Sequence, residues 1–121
     1  MIGKAYKSRV PYYDRVSKTQ KFKSRPCLII GQADSGDYVI LPISSISDKS
    51  KVDPVYDMPL DKATYTFLNK DSYLRTHKQT VVNIASLRDQ LSDFKASYEE
   101  TYLEALIKVE QFQKQLITDA L

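Results

Sequence analysis

Few side chains in this sequence are suited to acid–base, nucleophilic or metal chemistry. His77 is the single histidine and Cys27 the single cysteine among 121 residues. An imidazole titrates near neutrality without help from its surroundings, so His77 is a candidate general acid–base group; the plain alternative is an exposed histidine at the end of a strand. Cys27 lies in the apolar run Cys27-Leu28-Ile29-Ile30, which predicts a buried, inert thiol rather than a nucleophile. One cysteine and one histidine cannot build an ordinary structural zinc site. Asp53 and Asp57 are a close acidic pair with no further ligands around them. The three glycines, Gly3, Gly31 and Gly36, form no phosphate-cradling loop. The sequence therefore predicts neither a metal nor a cofactor.

Charge points to a partner instead. The net charge is only +3, but residues 1–30 hold eight Lys/Arg against the single Asp14, while residues 91–121 carry six acidic residues against three lysines. Clustering of this kind creates a local positive field on a nearly neutral chain. Lys18, Lys21 and Lys23 are placed to hold a nucleic-acid backbone, and Tyr12 and Tyr13 to stack on bases. The alternative is a solvated basic loop with no partner.

The positioning elements read as mainly β (α+β). The length suits one domain, residues 1–121, with a barrel over about 1–90. Gly3 to Ser8 predicts an edge strand, and residues 9–24 a long, mobile basic loop, because they show no apolar period. Cys27 to Ile30 and Tyr38 to Leu41, separated by Gly31 to Gly36, predict a β-hairpin. Pro42, lacking an N–H, is expected at an edge or strand end. Further strands are expected at Val55 to Leu60, Ser72 to Thr76 and Thr80 to Ile84; residues 61–69 fit a helical turn or a loop. Ser97 and Glu100 have capping-box spacing, and Tyr102, Leu103, Leu106, Val109, Leu116 and Ile117 recur at helical spacing, so a helix is expected over about 97–118. No apolar stretch has the length of a membrane span or a signal peptide, and one cysteine is too few for a disulfide framework. A cytoplasmic protein without membrane contact is expected.

Two motifs carry a resemblance. Arg25-Pro26-Cys27-Leu28-Ile29-Ile30 leads into an apolar strand, and Val39-Ile40-Leu41-Pro42-Ile43-Ser44-Ser45 ends a second one. With Ser72-Tyr73-Leu74-Arg75, Thr80-Val81-Val82 and a closing helix, the chain resembles the PemK/MazF toxins over roughly residues 3–117. It differs from them in lacking an acidic residue after Gly3, in having Ser44 where threonine is usual, and in a longer final helix. The resemblance implies an SH3-like small barrel with a C-terminal α-helix, a homodimer, and an antitoxin as partner. It also implies metal-independent cleavage of single-stranded RNA. Arg25 then falls on the catalytic arginine, whose guanidinium suits a phosphorane-like transition state. Ser44 falls on the hydroxyl at the strand end, with Ser45 beside it as an RNA contact. Arg75 and His77 fall where one branch of that family places an arginine and an acidic residue. Two other functions stay open: a non-catalytic SH3-like module that binds nucleic acid or protein, and a gyrase-directed toxin of the same fold.

Overall fold

The computed structural model describes residues 1–121. Seven strands, β1 (Ala5–Asp14), β2 (Thr19–Asp34), β3 (Asp37–Ser44), β4 (Asp57–Leu60), β5 (Ser72–Arg75), β6 (Thr80–Asn83) and β7 (Leu87–Ser92), precede a one-turn helix α1 (Phe94–Ser97) and the 22-residue α2 (Glu99–Ala120). Every strand pairing is antiparallel. The strands lie in the order β4-β5-β3-β2-β1-β7, with β6 also against β3. The protein is thus mainly β, a curled antiparallel sheet closed on one face by a C-terminal helix.

The sheet is organised around the C-terminal half of β2. Cys27, Leu28 and Ile29 are all within 1% of complete burial. Successive strand residues face opposite sides, so this run needs apolar cover on both. Leu28 joins the main core with Ala5, Leu41, Ile43, Leu74, Phe94 and Tyr102. Cys27 and Ile29 join a smaller cluster with Ile40 and Leu87. A strand covered on both faces reads as a continuous apolar run rather than an alternation, which is how this segment reads in the sequence.

The N-terminal half of β2 differs from expectation. Residues 9–24 are not a mobile loop: they form the outer part of the β1/β2 hairpin, in continuous register from Ala5↔Leu28 to Asp14↔Thr19. Both faces of this ribbon lie in solvent, so no apolar period is required and none was visible. Cross-strand contacts hold it instead. The Arg9 guanidinium sits 4.1 Å from the centre of the Phe22 ring, Lys23 Nζ 4.4 Å from that of Tyr12, and Lys21 Nζ 2.7 Å from Asp14 Oδ2. The tip is Arg15 to Lys18, where Lys18 takes a φ of 56°. β1 is likewise no edge strand, since Ala5 to Ser8 pair with β2 on one side and β7 on the other.

Three smaller expectations also change. Pro42 lies in mid-sheet, but where β3 hands over from β6 (last pair Ile40↔Thr80) to β5 (first pair Ile43↔Leu74); no ladder on that side asks for its missing N–H. β7 is not among the expected strands, because Arg88, Asp89 and Gln90 interrupt its apolar pattern. The expected capping box does not form. Ser97 belongs to α1, and α2 starts at Glu99 with Tyr98 at its N-cap and no side-chain cap. Packing decides this start: Tyr98 lies 4.6 Å from Tyr65 and 5.2 Å from Phe94, ring to ring. Glu99 and Glu100 in the first turn still suit the helix dipole. Gly3, at φ 87°, holds this end to the sheet: its N–H donates to the Ile29 carbonyl and its carbonyl accepts from Lys95 N–H at 2.7 Å.

Phe94 joins sheet to helix at complete burial and contacts the rings of Tyr65, Phe67 and Tyr98. Phe94→Ala is expected to lower unfolding stability by about 3–5 kcal/mol, read as the shift in the urea unfolding curve.

Candidate nucleic-acid site

Arg25 and Ser44 come together through strand register. Cys27 pairs with Pro42; Arg25 precedes the one and Ser44 follows the other by two residues, so both lie on the same face. Pairing has ended by then and the strands diverge around a depression. Arg25 and Ser44, with Pro26, line two clefts there, both at the root of the β1/β2 ribbon and sharing these three residues.

The first cleft, about 430 Å³, is basic. Its charged lining residues are Lys7, Lys23, Arg25 and Lys70, with no carboxylate among them; Ser44, Ser45, Asn69 and Ser72 add polar groups and Phe67 an aromatic wall. Lys7 alone of these cations has an acidic neighbour, with Nζ 4.0 Å from Asp89 Oδ2 at an exposed rim. Arg25 is exposed and belongs to none of the protein's ion pairs. A guanidinium left free beside hydroxyls and three ammonium groups suits a phosphodiester. The second cleft, about 420 Å³, is lined mainly by Val10, Pro11, Pro26, Pro42, Val81 and Val82, with Arg9 and Arg25 as its only charges.

Arg75 and His77 line neither cleft. Tyr73 pairs with Ser44, and strand alternation puts Arg75 on the same face as Tyr73, but its side chain is drawn to Asp57. Arg75 Nε donates to Asp57 Oδ1 at 3.0 Å and Nη2 to Oδ2 at 3.3 Å. The Asp57 side chain has no solvent exposure, and Oδ2 also accepts from the Asp53 N–H at 2.8 Å. Thr76 is fastened to the same segment, its hydroxyl donating to the Tyr56 carbonyl at 2.7 Å. His77 packs between Tyr56 and Phe112 at ring distances of 5.8 and 6.2 Å. Its Nδ1 is buried without a hydrogen bond, 3.8 Å from Asp57 Oδ1. Burial lowers the His77 pKa from its ordinary value, outweighing the pull of Asp57 and Asp53 in the other direction.

The predicted RNA contacts scatter. Lys23 and Ser45 line the basic cleft. Lys21 is engaged with Asp14, and this pairing is the main reason the Asp14 carboxyl lies below its usual range. Lys18 is at the ribbon tip, seven residues from Arg25, or about 23 Å along an extended strand. Tyr13 is exposed on the ribbon and lines neither cleft. Lys7 and Lys70 also line the basic cleft, although the sequence does not single them out: Lys7 belongs to Gly3 to Ser8, which predicts only an edge strand, and Lys70 follows the ambiguous residues 61–69. No three His, Cys, Asp or Glu side chains converge as metal ligands, and no helix is long and apolar enough to cross a membrane. Fold and site together define a small mainly β protein with a basic cleft at the root of a β-ribbon. No protein-family model matches the chain, and neither does any curated protein.

Two measurements check these environments. Because the folded His77 pKa lies below the unfolded value of about 6.5, the unfolded state binds more protons in this range. Stability should therefore rise with pH from the lowered pKa up to about 6.5 and then level off. His77→Asn should flatten that rise in urea midpoints taken between pH 5 and 7.5. Burial also pushes the Cys27 thiol up to about 11, so Cys27 should resist iodoacetamide at pH 8 until the protein is unfolded in urea.

Proposed function

We propose that the protein is a metal-independent endoribonuclease with the SH3-like barrel of the PemK/MazF toxins, acting on single-stranded RNA. The observation that carries the proposal is the unpaired Arg25 beside Ser44 in a cleft whose charged groups are all cationic. In the proposed reaction the 2′-oxygen attacks the adjacent phosphorus and the P–O5′ bond breaks. The products are a 2′,3′-cyclic phosphate and a 5′-hydroxyl; the 2′-hydroxyl proton is lost and one is gained by the departing oxygen. Arg25 holds the non-bridging oxygens as charge builds on them, and the Ser44 hydroxyl orients the 2′-hydroxyl or a phosphate oxygen.

In this reading His77 and Arg75 support the fold beneath α2 rather than touching RNA. Tyr56 hydroxyl donates to Gln115 Oε1 at 2.8 Å and Lys108 Nζ to the Val55 carbonyl at 2.6 Å, tying α2 to the same segment. A second reading, a non-catalytic nucleic-acid-binding module, is favoured by one observation: no side chain titrating near neutrality lines either cleft.

A homodimer, a cognate antitoxin and a cytoplasmic setting belong to the toxin reading. Supporting a partner, Leu103, Ile107, Leu116 and Ile117 of α2 are each about half exposed. The accessible surface, 7789 Å², also exceeds the roughly 6,700 Å² expected of a compact 13.9 kDa monomer.

The deciding experiment is cleavage of single-stranded RNA by purified protein with a chelator present. The wild type should leave 2′,3′-cyclic phosphate ends, and Arg25→Ala should be slower by about 10²–10³-fold. Absence of cleavage by folded wild type would favour the binding module. His77→Ala is expected to keep the rate within about tenfold, whereas a general-base role requires a loss of about 10²–10⁴-fold.

A further inference from the structure

The two clefts meet at Arg25, Pro26 and Ser44 but differ in chemistry, and the difference matches the two halves of a nucleotide. The basic cleft offers Lys7, Lys23 and Lys70 around a polar floor. The second cleft offers rigid apolar surface from Pro11, Pro26 and Pro42, flanked by Val10 and Val82. Its volume, about 420 Å³, falls within the roughly 300–1,000 Å³ of sites that enclose small ligands. Such sites combine apolar walls with a few fixed polar groups, and Asn83 at the rim is one. Its Nδ2 donates to Asp37 Oδ1 at 3.0 Å and its Oδ1 accepts from Ala85 N–H at 2.9 Å. Held at both ends, the amide still has one proton and one lone pair to offer a base edge.

We infer that a single strand crosses the root of the β1/β2 ribbon at Arg25, with its backbone in the Lys7/Lys23/Lys70 cleft and one unstacked base in the Val10/Pro42/Val82 cleft, where Asn83 sets base preference. The inference deepens the ribonuclease reading by giving its substrate two subsites, and it rests on that reading for the identity of the ligand. Charge argues for the occupant: the backbone cleft contains no carboxylate, and the base cleft has no charge other than Arg9 and Arg25, both compatible with a polyanion. A base is also the one part of a single strand that profits from leaving water for an apolar wall.

The test is binding rather than cleavage, using fluorescent 2′-O-methyl hexamers of A, C, G and U, which lack the nucleophile and remain intact. Anisotropy titrations at several KCl concentrations give affinity and salt slope. Lys70→Ala, at an exposed position, should weaken all four hexamers alike and reduce the salt slope by about 0.7. Val10→Trp fills the apolar cleft from an exposed strand position without changing charge. It should leave the slope unchanged, weaken the preferred hexamer by about tenfold or more, and narrow the spread among the four. Asn83→Gln should reorder the base preference. Melting temperatures measured alongside separate these effects from loss of fold. The inference is overturned if the wild type binds no hexamer, if Val10→Trp leaves the preferred hexamer's affinity intact, or if Lys70→Ala leaves the slope intact. Wild-type binding with these variant effects but without cleavage of ordinary RNA would uphold the two subsites and reject the ribonuclease. Cleavage with unaltered binding in the variants would do the reverse.

Discussion

Cys27, Leu28 and Ile29 are buried on both faces of the sheet, and this enclosure positions the neighbouring strands, the helix and the clefts. β2 runs for sixteen residues, but only this part is enclosed. It pairs with β1 and β3, aligns Leu28 and Leu41 with the core beneath α2, and sets Ile29 and Ile40 in the second cluster. Arg25 and Pro26 lie where β2 leaves that enclosure. An arginine two residues from a fully buried strand has its backbone fixed by the core and its side chain in solvent, which suits a group that must meet a ligand in a defined place. Both clefts exist because the sheet stops being covered at that point.

Asp57 is the second organising group and competes with the first. As a carboxylate without solvent exposure it needs charged or hydrogen-bonding partners. It takes them from the Arg75 guanidinium and the Asp53 backbone, with His77 adjacent. Removing Arg75 would leave that buried carboxylate without its permanent cation, a costly state. The two side chains with the most evident catalytic chemistry are thereby committed to holding residues 53–57, 75–77 and the distal half of α2 together. Arg25 has no such neighbour, and its freedom distinguishes it.

The ribbon shows a different balance. Outside the core its stability comes from pairs such as Arg9 with Phe22 and Lys21 with Asp14, each worth little singly. Six paired positions, from Arg9↔Ser24 to Asp14↔Thr19, continue the register of the covered sheet outward and make the sum sufficient for order. These cations are therefore presented on a fixed scaffold: Arg15 and Lys18 stand unpaired at its tip, and Arg25 stands unpaired at its root, where the clefts are.

The mainly β class, the β2/β3 hairpin, the closing helix, the buried thiol and the accumulation of positive charge near the N-terminus are legible from the residues alone. These are local properties: an apolar run, a turn with Gly36, a 3.6-residue period and a count of charges suffice to find them. The ribbon, β7, the start of α2 and the company each candidate residue keeps come instead from pairing and packing between distant segments. A ribbon wet on both faces has no hydrophobic period to display, and β7 is paired through its backbone whatever its side chains. The separation of Arg75 and His77 from Arg25 and Ser44 depends on a buried carboxylate eighteen residues before Arg75 in the chain, and the arrival of Lys7 and Lys70 beside Arg25 depends on how distant strands and loops meet. Spacing along a sequence reports such meetings only when they are local, and these are not.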